Sequence, residues 1–173
     1  NLQRYAEAFS FLQSKKLYTV DDLETTLHAM QDKIDTLKNS ASAKQVRIKE
    51  LDGLLRMVDY YKSGKPAADK LKSIRFEKSR QKYKAEHDNE LRTFYMAERK
   101  LKPHFKDGKV PIAAWRKERA QLDQEYRDIQ TELSPLHADA KKLWAIHYNI
   151  YEVQHEQERQ NTATRQKKSE IEH

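Results

Sequence analysis

Apolar residues recur along this chain at alternating spacings of four and three from Leu23 to Val58. The positions are Leu23, Leu27, Met30, Ile34, Leu37, Ala41, Lys44, Ile48, Leu51, Leu55 and Val58, and Lys44 is the only polar member. Such a ladder predicts one long helix with a narrow apolar seam, the pattern of a coiled coil. A helix of this kind cannot bury its stripe alone and needs a partner in this chain or another. A second ladder repeats every seven residues at Trp115, Leu122, Ile129, Leu136, Leu143 and Ile150, interleaved with Tyr126, Leu133, Ala140 and His147. A third, less apolar ladder runs Phe76, Tyr83, His87, Glu90, Phe94, Ala97, Leu101. Leu2, Tyr5, Phe9 and Leu12 form a short helical face of their own.

Punctuation between the ladders sets the expected boundaries. Thr19 with Asp22 three residues on is a capping-box-like start, with Asp21, Asp22 and Glu24 at the positive end of the helix dipole. Ser63-Gly64-Lys65-Pro66 reads as a stop and restart, with Gly at the C-terminal cap and Pro in the next first turn. Pro103 ends a helix, Asp107-Gly108 marks a turn, and Pro111 opens the last helix. Pro135 predicts a kink, and Asn39, Ser40 and Ser42 a bend. The expected helices cover about 2–14, 20–61, 66–102 and 111–160 in a single domain of residues 1–160. The polar tract 161–173 is expected to fray or be disordered. Short turns make neighbouring helices antiparallel. The predicted fold is therefore all-α: an elongated antiparallel three-helix coiled-coil bundle. Its short N-terminal helix would cap the end that carries Lys102–Val110.

Composition fits that reading. The 173 residues include 3 Gly, 4 Pro and 35% charged residues. The absence of cysteine excludes a disulfide framework, a thiol nucleophile and cysteine-ligated metal. No apolar run is long enough to span a membrane, so no membrane insertion is expected and a cytoplasmic setting fits. No signal peptide opens the chain. A start at Asn1 and a polar end suggest a piece of a larger protein.

Charge changes the picture more. The net charge is +7, and all of that excess sits in residues 65–109, which carry 14 Lys/Arg against 7 Asp/Glu. Lys70, Lys72, Arg75, Lys78, Arg80, Lys82 and Lys84 enclose a single acid, Glu77. Such a patch attracts nucleic acid or acidic protein through salt-screened forces. On one continuous helix, Lys72, Arg75, Lys78 and Lys82 would share a face. In the three-helix arrangement Trp144 falls level with about residue 69, so Trp144, Tyr148 and Tyr151 would join Tyr60 and Tyr61 beside these lysines. Aromatics among cations can stack bases and hold phosphates. The bland alternatives stand beside both readings: a solvated face that keeps a thin bundle soluble, and aromatics that merely cover the end of a core.

Catalytic signatures are missing. None of the seven histidines forms an HExxH or a His-x-His pair, and three glycines leave no room for a phosphate loop. Glu152, Glu156 and Glu158 suit helix-surface ion pairs, and His87 a hydrogen-bonded seam position. Neither a metal, a cofactor nor an enzymatic activity is expected of this segment.

Arg4-Tyr5, Phe9-Ser10-Phe11-Leu12, Thr19-Val20-Asp21-Asp22-Leu23-Glu24 and Lys49-Glu50-Leu51 occur in that order. Leu71-Lys72-Ser73-Ile74-Arg75-Phe76, Glu90-Leu91-Arg92-Thr93-Phe94-Tyr95 and Ala114-Trp115-Arg116-Lys117-Glu118 follow. This series, over about residues 1–160, resembles the C-terminal helical region of relaxases. These are the mobilization nucleases of plasmids and conjugative transposons of gut Firmicutes. Val110 departs from the pattern, which would place a Ser or Thr cap before the proline. The resemblance implies DNA processing for conjugative transfer. The nicking domain, with its tyrosine and histidine-bound metal, would lie outside this chain, and no catalytic role transfers to a tyrosine here. What remains is an accessory domain that binds DNA, proteins of the transfer complex or a second copy of itself. A coiled-coil interaction or dimerisation module without nucleic-acid contact is the alternative, and a helical enzyme the reading least supported.

Overall fold

A computed structural model describes residues 2–171, with side chains from 3 to 164. The chain is all-α and about 90% helical, with no strand among the described residues. Five helices follow in order: α1 (Leu2–Ser14), α2 (Val20–Ser73), α3 (Glu77–Glu86), α4 (Asp88–Leu101) and α5 (Ile112–Ile171). Contacts divide the chain into two compact units, one of residues up to Asn39 with those from Ile129 onward, the other of Ser40–Asp128.

In the first unit, Leu23 and Leu27 of α2 are buried with Leu17 and with Leu143 of α5. Phe11 and Leu12 of α1 pack against this cluster, as do Ile146 and Ile150. Glu24 meets His147 at 2.9 Å and Lys33 meets Glu132 at 2.6 Å, so α2 and α5 run antiparallel here. Lys15 pairs with Asp139, and Lys142 lies 5.2 Å from the Phe11 ring, which fixes α1 on α5. Helix α1 ends in a Schellman motif: Leu17 N–H donates to Leu12 O at 3.0 Å and Lys16 N–H to Gln13 O at 3.0 Å. Lys16 takes the left-handed position, φ 58°. The expected capping box opens α2. Asp22 N–H donates to Thr19 Oγ1 at 3.0 Å, and Thr19 N–H returns a bond to Asp22 Oδ2 at 3.1 Å.

In the second unit, α2 pairs with α5 through Asp52–Arg119 at 2.8 Å, Arg47–Glu118 at 2.7 Å and Lys44–Glu125. Gln45 Nε2 donates to the Tyr126 hydroxyl at 2.7 Å. The polar break in the ladder, Lys44, is thus half-buried and matched by an acid across the seam. Leu51, Val58, Leu101 and Trp115 form one buried cluster. Ala67, Ala68, Leu91 and Phe94 form another, between α2 and α4. Between α4 and α5, a short 3-10 turn at Lys102–His104 contains Pro103. Lys106 and Lys109 then exchange backbone bonds of 2.8 and 2.9 Å around Asp107 and Gly108, both at positive φ. This is the type I′ turn that an Asp-Gly pair suits. Trp115 N–H donates to Pro111 O at 3.0 Å at the start of α5.

Several expected features are corrected. No turn occurs at Ser63–Pro66, because α2 runs on to Ser73. Gly64 is not a cap but a contact point: a Cβ there would stand 2.6 Å from the Phe94 Cβ and 3.1 Å from the Glu90 carbonyl oxygen. With Ala67 and Ala68 it makes a small-residue face on which α4 sits closely. Pro66 is exposed and only deprives the Lys62 carbonyl of its helical donor. The chain reverses instead at Ile74–Phe76, and the expected 66–102 helix is divided there and at His87. The expected three-helix layering does not occur in the second unit. Gly64 faces Phe94, Val58 clusters with Leu101, and Lys44 pairs with Glu125. Helices α4 and α5 therefore follow one another in the same sense along α2, rather than folding back on each other. Helix α1, expected to cap the end that carries Lys102–Val110, packs instead near Leu143 and Ile150 of its own unit. Helix α5 continues past residue 160 to Ile171, since Gln, Lys, Glu and Arg are good helix formers; residues 172–173 of the expected frayed tract lie outside the described residues.

Candidate nucleic-acid interface

The basic cluster lies in the second unit, around the reversal between α2 and α3. Lys70 and Lys72 belong to the last turn of α2, Arg75 to the link, and Lys78 and Lys82 to α3. The five are all exposed, but they do not share one helical face as a continuous helix would require. They surround a corner. Ser73 ends α2 by turning its hydroxyl onto the Lys70 carbonyl at 2.7 Å, a local bond that competes with helix continuation. Ile74 is half-buried and anchors the link, and the Arg80 guanidinium donates to the Ile74 carbonyl at 3.0 Å. Phe76 adopts an extended conformation and caps α3, its carbonyl accepting from Arg80 N–H at 2.9 Å.

Helix α3 contains no buried residue. Tyr83 is its half-buried contact with α2, with Lys70 Nζ 5.2 Å from the ring. Acidic neighbours partly balance the cations. Glu77 lies 3.6 Å from Arg80, and Glu86 lies 3.9 Å from Lys82. Both are exposed pairs, weak and easily exchanged for another anion. Among the described residues, Lys72, Arg75 and Lys78 have no acidic partner in this cluster, and they set its sign.

Phe76 is the residue that the sequence pattern misplaced. Its seven-residue spacing to Tyr83 suggested a seam position, yet it is 78% exposed. The useful signal was its flanks, which are Arg75 on one side and Glu77-Lys78 on the other, with no apolar neighbour beyond Ile74.

Trp144, Tyr148 and Tyr151 are exposed on α5 in the other unit. Leu143 packs with Leu23 and Leu27, so Trp144 is level with the start of α2. Trp144, Tyr148 and Tyr151 belong to one unit and Tyr60, Tyr61 and the lysines to the other, so the expected gathering is part of neither unit's own packing. Trp144 and Tyr151 stack edge-on with His147 and His155, at 5.7 and 4.2 Å. Tyr61 belongs to the core, stacked on Phe94 at 5.0 Å.

Among the described residues, no group of three or more His, Cys, Asp or Glu side chains converges to hold a metal. None of their helices is long and apolar enough to cross a membrane. No protein-family model, no curated protein and no solved structure matches the chain.

Proposed function

We propose that this chain is a non-catalytic accessory segment that binds DNA through its backbone at the α2–α3 corner. In its context it would serve a relaxase, supporting conjugative transfer of a plasmid or transposon from the cytoplasm. The observation that carries the DNA reading is helix α3 itself. It buries no residue, so the core does not require it, yet it concentrates cations on an exposed corner. Cations spread around a corner can meet successive phosphates of a strand without reading base edges. The test is titration of labelled DNA with wild type and with a variant carrying Glu at 72, 75, 78 and 82. Binding by wild type and loss in the variant support the reading. Equal binding by both leaves α3 as a solvated face.

A second reading, an interaction module without DNA contact, draws on a different place. In the first unit Tyr5 and Phe9 are exposed on α1, Phe9 at 63%, beside Val153 on α5. Contacts to other proteins of a transfer complex, or to a second copy, would use such a face. A concentration-dependent sedimentation coefficient that falls away in Phe9→Ser supports this reading.

A further inference from the structure

We infer that Phe76 is a stacking platform for an unpaired base, so that the corner prefers single-stranded nucleic acid; this rests on the DNA reading above and deepens it. Three observations converge on that residue. It has the highest exposure of any large apolar side chain among those described, 78%, and stands apart from every buried cluster. Its backbone is held rather than loose. Bonds from Arg80 to the carbonyls of Ile74 and Phe76, at 3.0 and 2.9 Å, pin the link from both sides, and half-buried Ile74 anchors it. The surrounding charge is cationic, from Lys72, Arg75, Lys78 and Arg80 against Glu77.

An exposed phenyl ring on a held backbone among cations is the arrangement that a single strand uses. Cations track the backbone while a base stacks on the ring, whatever its identity. Duplex DNA keeps its bases stacked on one another and offers the ring nothing comparable. An anionic membrane is the other surface that attracts cations with an aromatic. It draws on an apolar face of several residues, and Phe76 is flanked by Arg75, Glu77 and Lys78 instead.

The experiment measures binding of labelled oligothymidine and of a duplex of equal length by wild type, Phe76→Ala and Phe76→Trp. Phosphatidylserine vesicles are a third probe. The side chain is exposed, so neither variant should change thermal unfolding. Wild type should prefer the single strand. Phe76→Ala should lose about 5- to 100-fold on the single strand, with duplex binding altered less than about twofold, and Phe76→Trp should keep or improve it. Salt-dependent binding by wild type with no loss in Phe76→Ala overturns the stacking role and leaves the DNA reading intact. No binding of either oligonucleotide overturns both. Vesicle binding that depends on Phe76, without oligonucleotide binding, assigns the corner to a membrane surface and overturns the inference.

Discussion

Gly64 lies against Phe94 so closely that a Cβ on the glycine would stand 2.6 Å from that of the phenylalanine. The neighbour is the root of a buried side chain with its backbone behind it, not a flexible tip. Helix propensity alone favours Gly64→Ala by about 1 kcal/mol. The collision decides the sign, because α4 must move away from Ala67 and Ala68 to admit a methyl. Gly64→Ala should lower stability by about 1–3 kcal/mol. Gly53 is the internal control, since nothing lies within 4 Å of a Cβ there. Gly53→Ala should raise stability by about 0.5–1 kcal/mol. Thermal unfolding of the two variants checks both signs.

Leu51 and Leu122 occupy comparable ladder positions but differ in burial. Leu51 is fully buried, whereas Leu122 is half-buried at the edge of the same cluster. Leu51→Ala should cost about 3–5 kcal/mol, and Leu122→Ala about half of that. Denaturant midpoints of the two variants measure the difference. Equal costs would mean that Leu122 is covered more fully than its position at the cluster edge implies.

Acid should weaken the α2–α5 pairing. Hydrogen bonding to Arg47 holds the Glu118 carboxyl below its ordinary value of 4.5, and bonding to Lys44 and Gln121 does the same for Glu125. A side-chain bond with Thr19 and the Tyr18 amide lower Asp22 likewise. A carboxylate depressed in the folded state contributes stability that is fully present above its unfolded value. That contribution is lost as pH falls through the folded value. The unfolding midpoint should be flat from neutral pH down to about 5 and should drop below about 4.5. These groups are exposed, so the effect should be modest and should shrink in high salt. Glu118→Gln should flatten part of the acid slope.

Much of this fold was legible because heptad spacing reports burial directly. Every ladder position between Leu23 and Val58 is buried or half-buried, as is every position of the Trp115–Ile150 ladder. Thr19 and Asp22, and Asp107 with Gly108, carry their own local chemistry, so they read correctly without tertiary information. Gly64 and Pro66 did not, since glycine suits both a helix cap and a close helix contact. Only the position of Phe94 across the seam distinguishes the two. The true reversal at Ile74–Phe76 has neither Gly nor Pro, and Ser73 is its sole weak signal. The expected fold-back of α5 on α4 came from the short-turn rule applied at 103–110, where the chain instead continues in the same sense along α2, with Val58 against Leu101 and Lys44 paired to Glu125. The basic residues were legible as a cluster but not as a shape, because a ladder cannot show that a helix ends between Lys72 and Lys78.

The measurement that bears most directly on the proposed DNA contact is the salt dependence of binding. Each phosphate contact contributes about 0.7–0.9 to the slope of log affinity against log salt. Three or four contacts from Lys72, Arg75, Lys78 and Lys82 should give wild type a slope of roughly −2 to −4. The variant with Glu at these four positions should bind weakly, with a slope near zero. A wild-type protein that fails to bind DNA at low salt, or a variant that keeps the wild-type slope, would contradict the account and leave α3 as a solvated face of a helical interaction module.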